Sequence, residues 1–373
     1  MWKILVGVGL AVILAIWLLP LGEQEPLRFL GSYAIPTGEW TYDSVPVGEI
    51  SGLAYDPVIN VYYGISDDRG DVGPAGRLYT LDIPLDSAGI HDVTVYDMTL
   101  LDSDPDTGGV QTYAKKAIDS EEIVFTPSRT FFVASERDLG ERPWIREFTE
   151  TGLLLREISL PEKFMPAEGV GVRENLSFEA MALTPDGKTL YVANEQALEQ
   201  DGPTSTVDHG TTVRITQYDL KLMTSEVTAE YAYVTEPIFA APTDGDYADN
   251  GVPAMLYIKH ILPAYDLLTV ERAYSSGVGN DIKIFGVSLR GADDVKDMEA
   301  LPFPFNGNAV KKELLVRISA IEELSDIPIQ PDNIEAIALG PKLPNRHHTL
   351  LLASDNNFND SQRNLFLAFE IVP

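Results

Sequence analysis

The sequence predicts an all-β protein made from one repeated unit of four strands. Short runs of alternating apolar residues, separated by Gly, Pro, Asp and Asn, recur from the end of the N-terminal apolar segment to the C-terminus. Such runs are typical of strands. Long amphipathic helical patterns are nearly absent over the same region. Five segments also resemble one another in sequence and follow each other along the chain, which favours a repeat architecture.

Each copy of the repeat contains a strand, a turn and a second strand. Four copies open with a glutamate, and these opening acids are Glu49, Glu122, Glu179 and Glu335. A fifth copy, from Lys259, lacks that glutamate. The second strand of each copy ends beside an acid, and these closing acids are Asp67, Glu136, Glu195, Glu271 and Asp355. Further strands follow the copies, at Gly76, Trp144, Val213 and Lys283. We interpret the unit as an inner hairpin followed by an outer hairpin.

Four-stranded units repeated around an axis form a β-propeller. The five copies open 73, 57, 80 and 76 residues apart, which is longer than an ordinary blade of roughly 40–50 residues. We therefore place insertions at 101–117 and 241–254. One propeller domain is expected over residues 28–373, with five to seven blades and six preferred. A β-sandwich is the alternative all-β fold.

The N-terminal segment, residues 1–22, predicts export. Lys3 precedes an apolar run from Ile4 to Leu19, and Pro20 follows that run, as in a signal peptide or a short signal anchor. The run is at the low end of the length that spans a bilayer, and no Ala-x-Ala cleavage site follows it. We expect a periplasmic or extracellular monomer, either released or held to the membrane by residues 4–19.

The composition excludes several classes of function. The chain has 57 acidic and 27 basic residues and a formal net charge of -30, so its surface repels nucleic acid and anionic lipid and attracts cations. It has no cysteine, which excludes thiolate nucleophiles and zinc–cysteine sites. Its five histidines form no HxH or HxxxH pair. There is no nucleophile elbow and no Walker loop, so neither a serine hydrolase nor a nucleotide enzyme is expected.

The repeated acids predict a carboxylate-lined channel. The innermost strands of a propeller surround its axis, so equivalent residues of successive blades form rings there. Two like charges at ~4 Å repel by ~1 kcal/mol in water, so protons, arginines or metal ions must compensate such a ring. Ca²⁺ prefers carboxylate oxygens. We predict Ca²⁺ sites with the ligands Glu49, Asp67, Glu122, Glu136, Glu195, Glu271 and Asp355. Additional carbonyl ligands could come from Asn194, Asn333 and Asn356.

Three arginines follow closing acids directly or by one residue, and they are Arg69, Arg137 and Arg272. Arginine binds phosphate through two parallel hydrogen bonds, and a bound cation activates water. We predict a small anionic substrate, a phosphate ester, and a catalytic set of Glu179, Glu335, Arg69, Arg137 and Arg272. In the alternative interpretation the acids cap backbone amides or pair with the arginines, and the propeller is a non-catalytic binding or scaffold module of the cell envelope.

Several blocks of the sequence resemble one known family, in the same order. They are "EISGLAYDP", "SEEIVFTPSRTFFVASERD", "NLSFEAMALTPDGKTLYVANE", "LLTVERAY" and "NIEAIALGP". The chain is similar over roughly residues 28–373 to the phytase-like family, whose domain is described as having an esterase-like activity of phytase. The resemblance implies a β-propeller and the hydrolysis of phosphate esters, and β-propeller phytases, which depend on calcium, are similar in architecture and acidity. It supplies no catalytic motif, so a lactone or carboxylic-ester hydrolase on a similar propeller remains a further alternative.

Overall fold

The computed structural model describes residues 25–107, 109–221, 224–321 and 331–373. Within these residues the chain forms five four-stranded antiparallel sheets. Their innermost strands contact one another in a closed cycle, so the fold is a single β-propeller with five blades. The predicted signal or anchor segment lies outside the described residues.

The first strands are β1 (Leu27–Pro36) and the short pair β2 (Thr41–Tyr42) and β3 (Val45–Pro46). Blade 1 contains, from the axis outward, β4 (Ile50–Asp56), β5 (Val61–Ser66), β6 (Arg77–Asp82) and β9 (Thr94–Leu100), with the short pair β7 (Leu85–Asp86) and β8 (Gly89–Ile90) between its outer strands. Blade 2 contains β10 (Ser120–Phe125), β11 (Thr130–Ser135), β12 (Trp144–Thr149) and β13 (Leu154–Glu157).

Blade 3 contains β14 (Phe178–Leu183), β15 (Thr189–Asn194), β16 (Thr212–Lys221) and β17 (Thr224–Val234). Blade 4 contains β18 (Ala248–Tyr257), β19 (Leu267–Ser275), β20 (Gly279–Ser288) and β21 (Lys311–Arg317). Blade 5 contains β22 (Asn333–Lys342), β23 (His348–Asp355), β24 (Arg363–Ile371) and, outermost, β1. The 3₁₀ helices in the described residues are Pro105–Thr107, Glu162–Phe164, Glu199–Asp201 and Ile318–Ala320. None of the helices in the described ranges could cross a membrane, given their length and hydropathy.

The two ends of the chain join in blade 5 and close the ring. Strand β1 pairs with β24 from Leu27 opposite Ile371 to Pro36 opposite Arg363. The two innermost strands of each blade are largely buried on both faces, whereas the outermost strands are partly exposed, and one large apolar cluster fills the gap between each pair of neighbouring blades. Apolar burial of this kind, at roughly 25 cal/mol per Å², holds the blades together and fixes the innermost strands around the axis.

The predicted number of six blades is wrong, and the structure has five. The additional length lies in long connections outside the sheets, at 101–119, 158–177, 195–211 and 289–310. The predicted insertion at 101–117 falls in the first of these connections. Dividing the length of the chain by the length of an ordinary blade therefore overestimates the number of blades, because connections of about 20 residues are then counted as strands.

The predicted start of the fifth copy is also wrong. Lys259 lies in the turn after β18, and the innermost strand of blade 4 is β18 itself, which overlaps the predicted insertion at 241–254. Gly251 and Pro253 make this strand resemble a loop in the sequence. The register shift between Gly251 and Ala254 accommodates Pro253, because a bulge tolerates a residue that has no N–H to donate to the ladder.

Candidate functional site

A β-bulge recurs near the start of four innermost strands. The shifts in register leave out Ser51, Glu121, Glu179 and Glu335 from the regular pairing. A bulge re-aims the side chain of the additional residue. The three glutamates are close enough to one another that the charges of Glu179 and Glu335 raise the pKa of Glu121. The bulges therefore bring one carboxylate from each of blades 2, 3 and 5 to one end of the channel, which we call the acidic end.

The residue that follows the second strand of a blade adds another acid at this end. Asp67, Glu136 and Glu195 directly follow β5, β11 and β15, and Asp355 is the last residue of β23. In blade 4 the corresponding position is Arg272, which lies opposite Gly251 near the start of β18. The ring thus has four acids and one arginine.

Nine acids at the acidic end influence one another's pKa values. They are Glu49, Asp67, Asp119, Glu121, Glu136, Glu179, Glu195, Glu335 and Asp355, and we call them the channel acids. Seven of the nine were predicted as site residues, since only Asp119 and Glu121 were not. Three of the predicted opening acids, Glu49, Glu179 and Glu335, and four closing acids are brought together.

Two groups of three channel acids have the spacing of a metal site. One carboxylate oxygen from each of Asp67, Glu335 and Asp355 lies within 4.8 Å of the other two. The same holds for Asp119, Glu121 and Glu136. The first triad joins blades 5 and 1, and the second belongs to blade 2. Oxygen ligands of this kind suit a hard divalent cation such as Ca²⁺.

Burial and mutual repulsion make these acids hold protons more tightly than usual. Burial, with a contribution from neighbouring acids, raises the pKa of Glu49, Glu136 and Glu335 to about 8. Burial also raises the pKa of Glu195 to about 7 and that of Asp355 to about 6, with Arg272 offsetting part of the effect in both cases. The negative electrostatic potential at the acidic end therefore favours the binding of positive charge, as protons, arginine side chains or metal ions.

The first triad leaves hydrogen-bonding capacity unused. Asp67 Oδ1 is buried and has no hydrogen-bond partner within the described ranges. Asn333 donates from Nδ2 to Asp355 Oδ2 at 3.1 Å and also contacts Glu335. The predicted carbonyl ligands are engaged elsewhere, because Oδ1 of Asn194, Asn333 and Asn356 accepts hydrogen bonds from Arg214, Arg272 and Glu49, respectively.

The three predicted arginines lie at the acidic end but differ in how far they are occupied. Arg272 donates from Nη2 to Glu195 Oε1 at 2.7 Å and from Nη1 to both Asn333 and Glu335. Its guanidinium therefore bridges blades 3 and 5. We conclude that Arg272 is the built-in counter-charge of the ring, and its predicted contact with a phosphate would have to compete with these partners.

The other two arginines flank the second triad. Arg137 donates from Nε to Asp119 Oδ2 at 2.6 Å and from Nη2 to Asn175 Oδ1 at 2.9 Å. Arg69 lies with Nε 3.5 Å from Asp119 Oδ2. This nitrogen is buried and makes no hydrogen bond in the part of the chain that the structure describes. Arg69 consequently has the larger capacity to bind an anion.

Two of the predicted metal ligands, Glu271 and Glu122, lie outside the cluster of channel acids. Glu271 precedes the ring position of Arg272 by one residue, so it points to the other face of β19. There it accepts hydrogen bonds from Tyr233 Oη at 2.7 Å, Lys312 Nζ at 2.6 Å and the Glu236 amide at 2.9 Å. It is a fully satisfied interblade carboxylate.

Glu122 follows the bulge residue of β10 and faces away from the channel acids. Its Oε1 accepts a hydrogen bond from the Ile123 amide at 2.8 Å. Burial raises its pKa well above the usual range, and the amides of Ile123 and Met181 offset only part of this effect. Its neighbour Glu121 occupies the ring position that was assigned to Glu122.

A signal in the sequence distinguishes Glu121 from Glu122. Glu121, Glu179 and Glu335 each precede by six residues a proline at the end of the first strand or just after it, and these prolines are Pro127, Pro185 and Pro341. Counting back from the turn, rather than matching glutamates, gives the register of the strand. Asp119 offers no such signal, because it precedes β10 in a connection of variable length.

Comparisons with known proteins found similar sequences and structures. A protein of Arthroderma benhamiae described as an uncharacterized secreted protein is 27% identical over 186 residues, which are 43% of this chain and 35% of that protein. The match therefore spans about a third of that relative's length. A putative glycoside hydrolase from Parabacteroides distasonis has a TM-score of 0.43 and 9% identity, over 93% of this chain and 95% of that one. The periplasmic gluconolactonase of Pseudomonas aeruginosa has a TM-score of 0.36 and 12% identity, over 88% and 86%.

A family model described as "Phytase-like: Esterase-like activity of phytase" matches residues 45–358. The matched region begins before β4 and ends after β23, so it includes every channel acid. It covers well over half of the chain. The chain belongs to the phytase-like family.

Proposed function

We propose that this protein is an exported hydrolase of phosphate esters that uses Ca²⁺ held by the channel acids. One observation supports this more than any other, namely the two carboxylate triads at one mouth of the propeller. Nine acids face three arginines there, so the arginines alone cannot balance the charge of nine ionised carboxylates. Export is supported by the N-terminal sequence and by the description of the fungal relative as secreted.

The residues at the acidic end fit a hard cation. Each triad offers carboxylate oxygens within reach of a single ion, and Ca²⁺ accepts six to eight oxygens in loose geometry. Asp67 Oδ1 is buried without a partner in the described residues, which costs free energy unless a ligand pairs with it. We assign Asp67, Glu335 and Asp355 to one ion, and Asp119, Glu121 and Glu136 to another. Glu49 and Glu195 lie beside them.

A bound divalent cation would supply the positive charge that polarises a phosphoryl oxygen and lowers the pKa of water. The chain's own residues would complete the site. Arg69 and Arg137 would donate hydrogen bonds to the phosphate oxygens, with Arg69 Nε available for the first of them. Arg272 is a positioning residue, because it holds Glu195 and Glu335 in place.

Glu179 is the candidate general acid, the residue that would donate a proton to the leaving group. Burial, together with Glu195 and Glu136, raises its pKa well above the usual range. A carboxyl group whose pKa is raised in this way is suited to act as a general acid toward a departing alkoxide oxygen. Glu195, which raises the pKa of Glu179, is itself held by Arg272 Nη2 at 2.7 Å.

The test compares Ca²⁺ binding with turnover in the same samples. Ca²⁺ is titrated calorimetrically into chelator-treated protein, and hydrolysis of p-nitrophenyl phosphate is measured with and without the ion. We expect binding, a raised melting temperature and activity that is lost on chelation. Asp67→Asn should weaken both, whereas Asp246→Asn, at an exposed acid far along the sequence from the triads, should weaken neither. Activity that is unchanged after chelation would exclude the calcium-dependent mechanism, and tight binding with no turnover of any ester would favour a binding module.

A second candidate is the hydrolysis of lactones or carboxylic esters at the same site. It is favoured by the full occupation of Arg272, which leaves only Arg69 and Arg137 to neutralise a phosphate dianion among nine carboxylates. A less charged substrate would meet less repulsion there. A panel of phosphate esters, lactones and p-nitrophenyl acetate separates the two candidates.

A further inference from the structure

A second cavity opens at the other end of the channel. It has a volume of about 860 Å³ and is lined by the last residues of all five innermost strands, β4, β10, β14, β18 and β22. The channel acids lie where these strands begin, so the two sites are at opposite ends of the axis. We call this end the apolar end and the cavity the apolar-end cavity.

The wall of the apolar-end cavity is built from aliphatic and sulfur-containing side chains. Each innermost strand contributes one, and these are Leu53, Ile123, Met181, Met255 and Ile337. All five are at most 3% exposed. Pockets of about 300–1,000 Å³ with apolar walls and few polar groups are typical of small-molecule sites. The methionines add adaptable surface for an aromatic ring.

One polar atom of the residues that line this cavity makes no hydrogen bond in the described parts of the chain. Glu122 lines the cavity and is only 1% exposed. Its Oε1 accepts the hydrogen bond from Ile123, but its Oε2 makes none within the described ranges. A buried carboxyl oxygen without a partner costs about 1–3 kcal/mol or more. A ligand with a hydroxyl group would provide the missing hydrogen bond, because such a group can both donate and accept.

The backbone around Glu122 is shaped to admit its carboxyl group. A Cβ atom at Gly52 would lie 2.6 Å from Glu122 Oε1 and 2.8 Å from Glu122 Cα. Glycine at this position therefore allows β4 to approach β10 with the carboxyl between them. The position of the Glu122 carboxyl group is thus constrained by the fold.

The rim of the apolar-end cavity is polar and aromatic. The rings of His260 and His348 lie 6.3 Å apart, and His260 stacks on Tyr257 at 6.0 Å. Lys342 also lines the rim. A ligand that enters past this rim moves its apolar surface from water into contact with the apolar wall. Its buried end would then contact Glu122.

We propose that the apolar-end cavity binds a small, mostly apolar molecule with one hydroxyl group, the hydroxyl being hydrogen-bonded to Glu122 Oε2. The aromatic rim and the methionine wall favour a phenol over an aliphatic alcohol. This site is separate from the channel acids, and it does not depend on the activity proposed for them.

The test uses two probes that differ only in the hydroxyl group, 4-ethylphenol and ethylbenzene. Their binding to the full-length protein is measured by ligand-observed NMR in the presence of a chelator. We expect 4-ethylphenol to bind roughly fivefold to tenfold more tightly, the effect of one hydrogen bond to a buried group. Glu122→Leu keeps the volume and removes the oxygen, so it should make the two affinities equal. Leu339→Trp, at a partly exposed wall position, should abolish binding of both probes.

The outcomes distinguish the parts of the proposal. Failure of wild-type protein to bind either probe would overturn it. Equal affinities in wild-type protein would exclude the assigned role of Glu122. Binding that persists in Leu339→Trp, with unchanged melting temperature, would place the probes outside the cavity and would also overturn it. Asp246→Asn, at an exposed position that does not line the cavity, is the control and should leave the preference for 4-ethylphenol unchanged.

Discussion

The two ends of the propeller channel are built from the same five strands but differ in chemistry. At the acidic end, bulges and strand ends gather nine carboxylates around three arginines. At the apolar end, regular alternation leaves aliphatic side chains around the carboxyl group of Glu122, and Asp56 is the other acid of the lining. The comparison teaches that a single additional residue at the start of a strand changes what the strand presents to the axis. Electrostatics should dominate changes made at one end, and packing should dominate changes made at the other.

The largest effect should follow from removing the counter-charge at the acidic end. Arg272→Met leaves Glu195 and Glu335 without their buried partner, and breaking such a pair typically costs about 3–5 kcal/mol. We expect a loss of that size in urea unfolding at neutral pH in the presence of a chelator. Adding Glu195→Gln to Arg272→Met should restore part of the stability, since fewer charges then remain unpaired. Unchanged stability in Arg272→Met would mean that the ring does not need the arginine.

A smaller effect should follow from a methyl group at the narrow part of the channel. Gly52→Ala places Cβ against the Glu122 backbone and the Ile123 nitrogen, both at 2.8 Å. Overpacking of this kind costs about 1–3 kcal/mol. Thermal and urea unfolding would measure the loss, and Gly109→Ala, where a Cβ would meet nothing within 4 Å, is the control. Equal stabilities of the two variants would contradict the close approach of β4 and β10.

The fold could be predicted from the sequence, whereas the register within a strand could not. Alternating apolar residues and turns identified the inner hairpins of four blades, because those patterns directly reflect which side chains are buried. Glu122 and Glu271 were both misplaced by one residue. In a strand a shift of one residue moves a side chain to the opposite face. The bulge that brings Glu121 to the axis and the substitution of Arg272 in the ring of acids are properties of pairing, which composition and alternation do not specify.

The stability of the metal-free protein should fall as the pH rises from 5 to 8. Burial raises the pKa of Glu136 and Glu335 to about 8 and that of Glu195 to about 7, above the value of about 4.3 in an unfolded chain. The folded state therefore binds more protons over this range. The stability gained from these protons is complete below the unfolded pKa and is lost as the pH passes the folded values.

Each such group should lower the stability as the pH rises, for as long as it is protonated only in the folded state. Chemical unfolding at several pH values, with a chelator present, would measure the slope. Saturating Ca²⁺ should flatten it, because the ion replaces the protons as the compensating charge. A stability that rises with pH over this range in the metal-free protein would contradict the burial of these acids in one field.

The smallest change in stability, and the sharpest test of the triads, should come from Asp67→Asn. In the absence of metal the substitution removes an ionisable group whose pKa is raised by burial and by the charges of Asp355, Glu121 and Glu49. We expect it to stabilise the metal-free protein at pH 8 by about 1 kcal/mol, the size of one close repulsion at high effective dielectric. The same substitution should weaken Ca²⁺ binding by at least about tenfold, because even outer partners of metal ligands have effects of that size. Opposite signs for stability and for affinity distinguish a ligand carboxylate from a structural one. A loss of stability without a loss of affinity would instead show that Asp67 acts as a backbone or arginine partner and that the first triad is not a metal site.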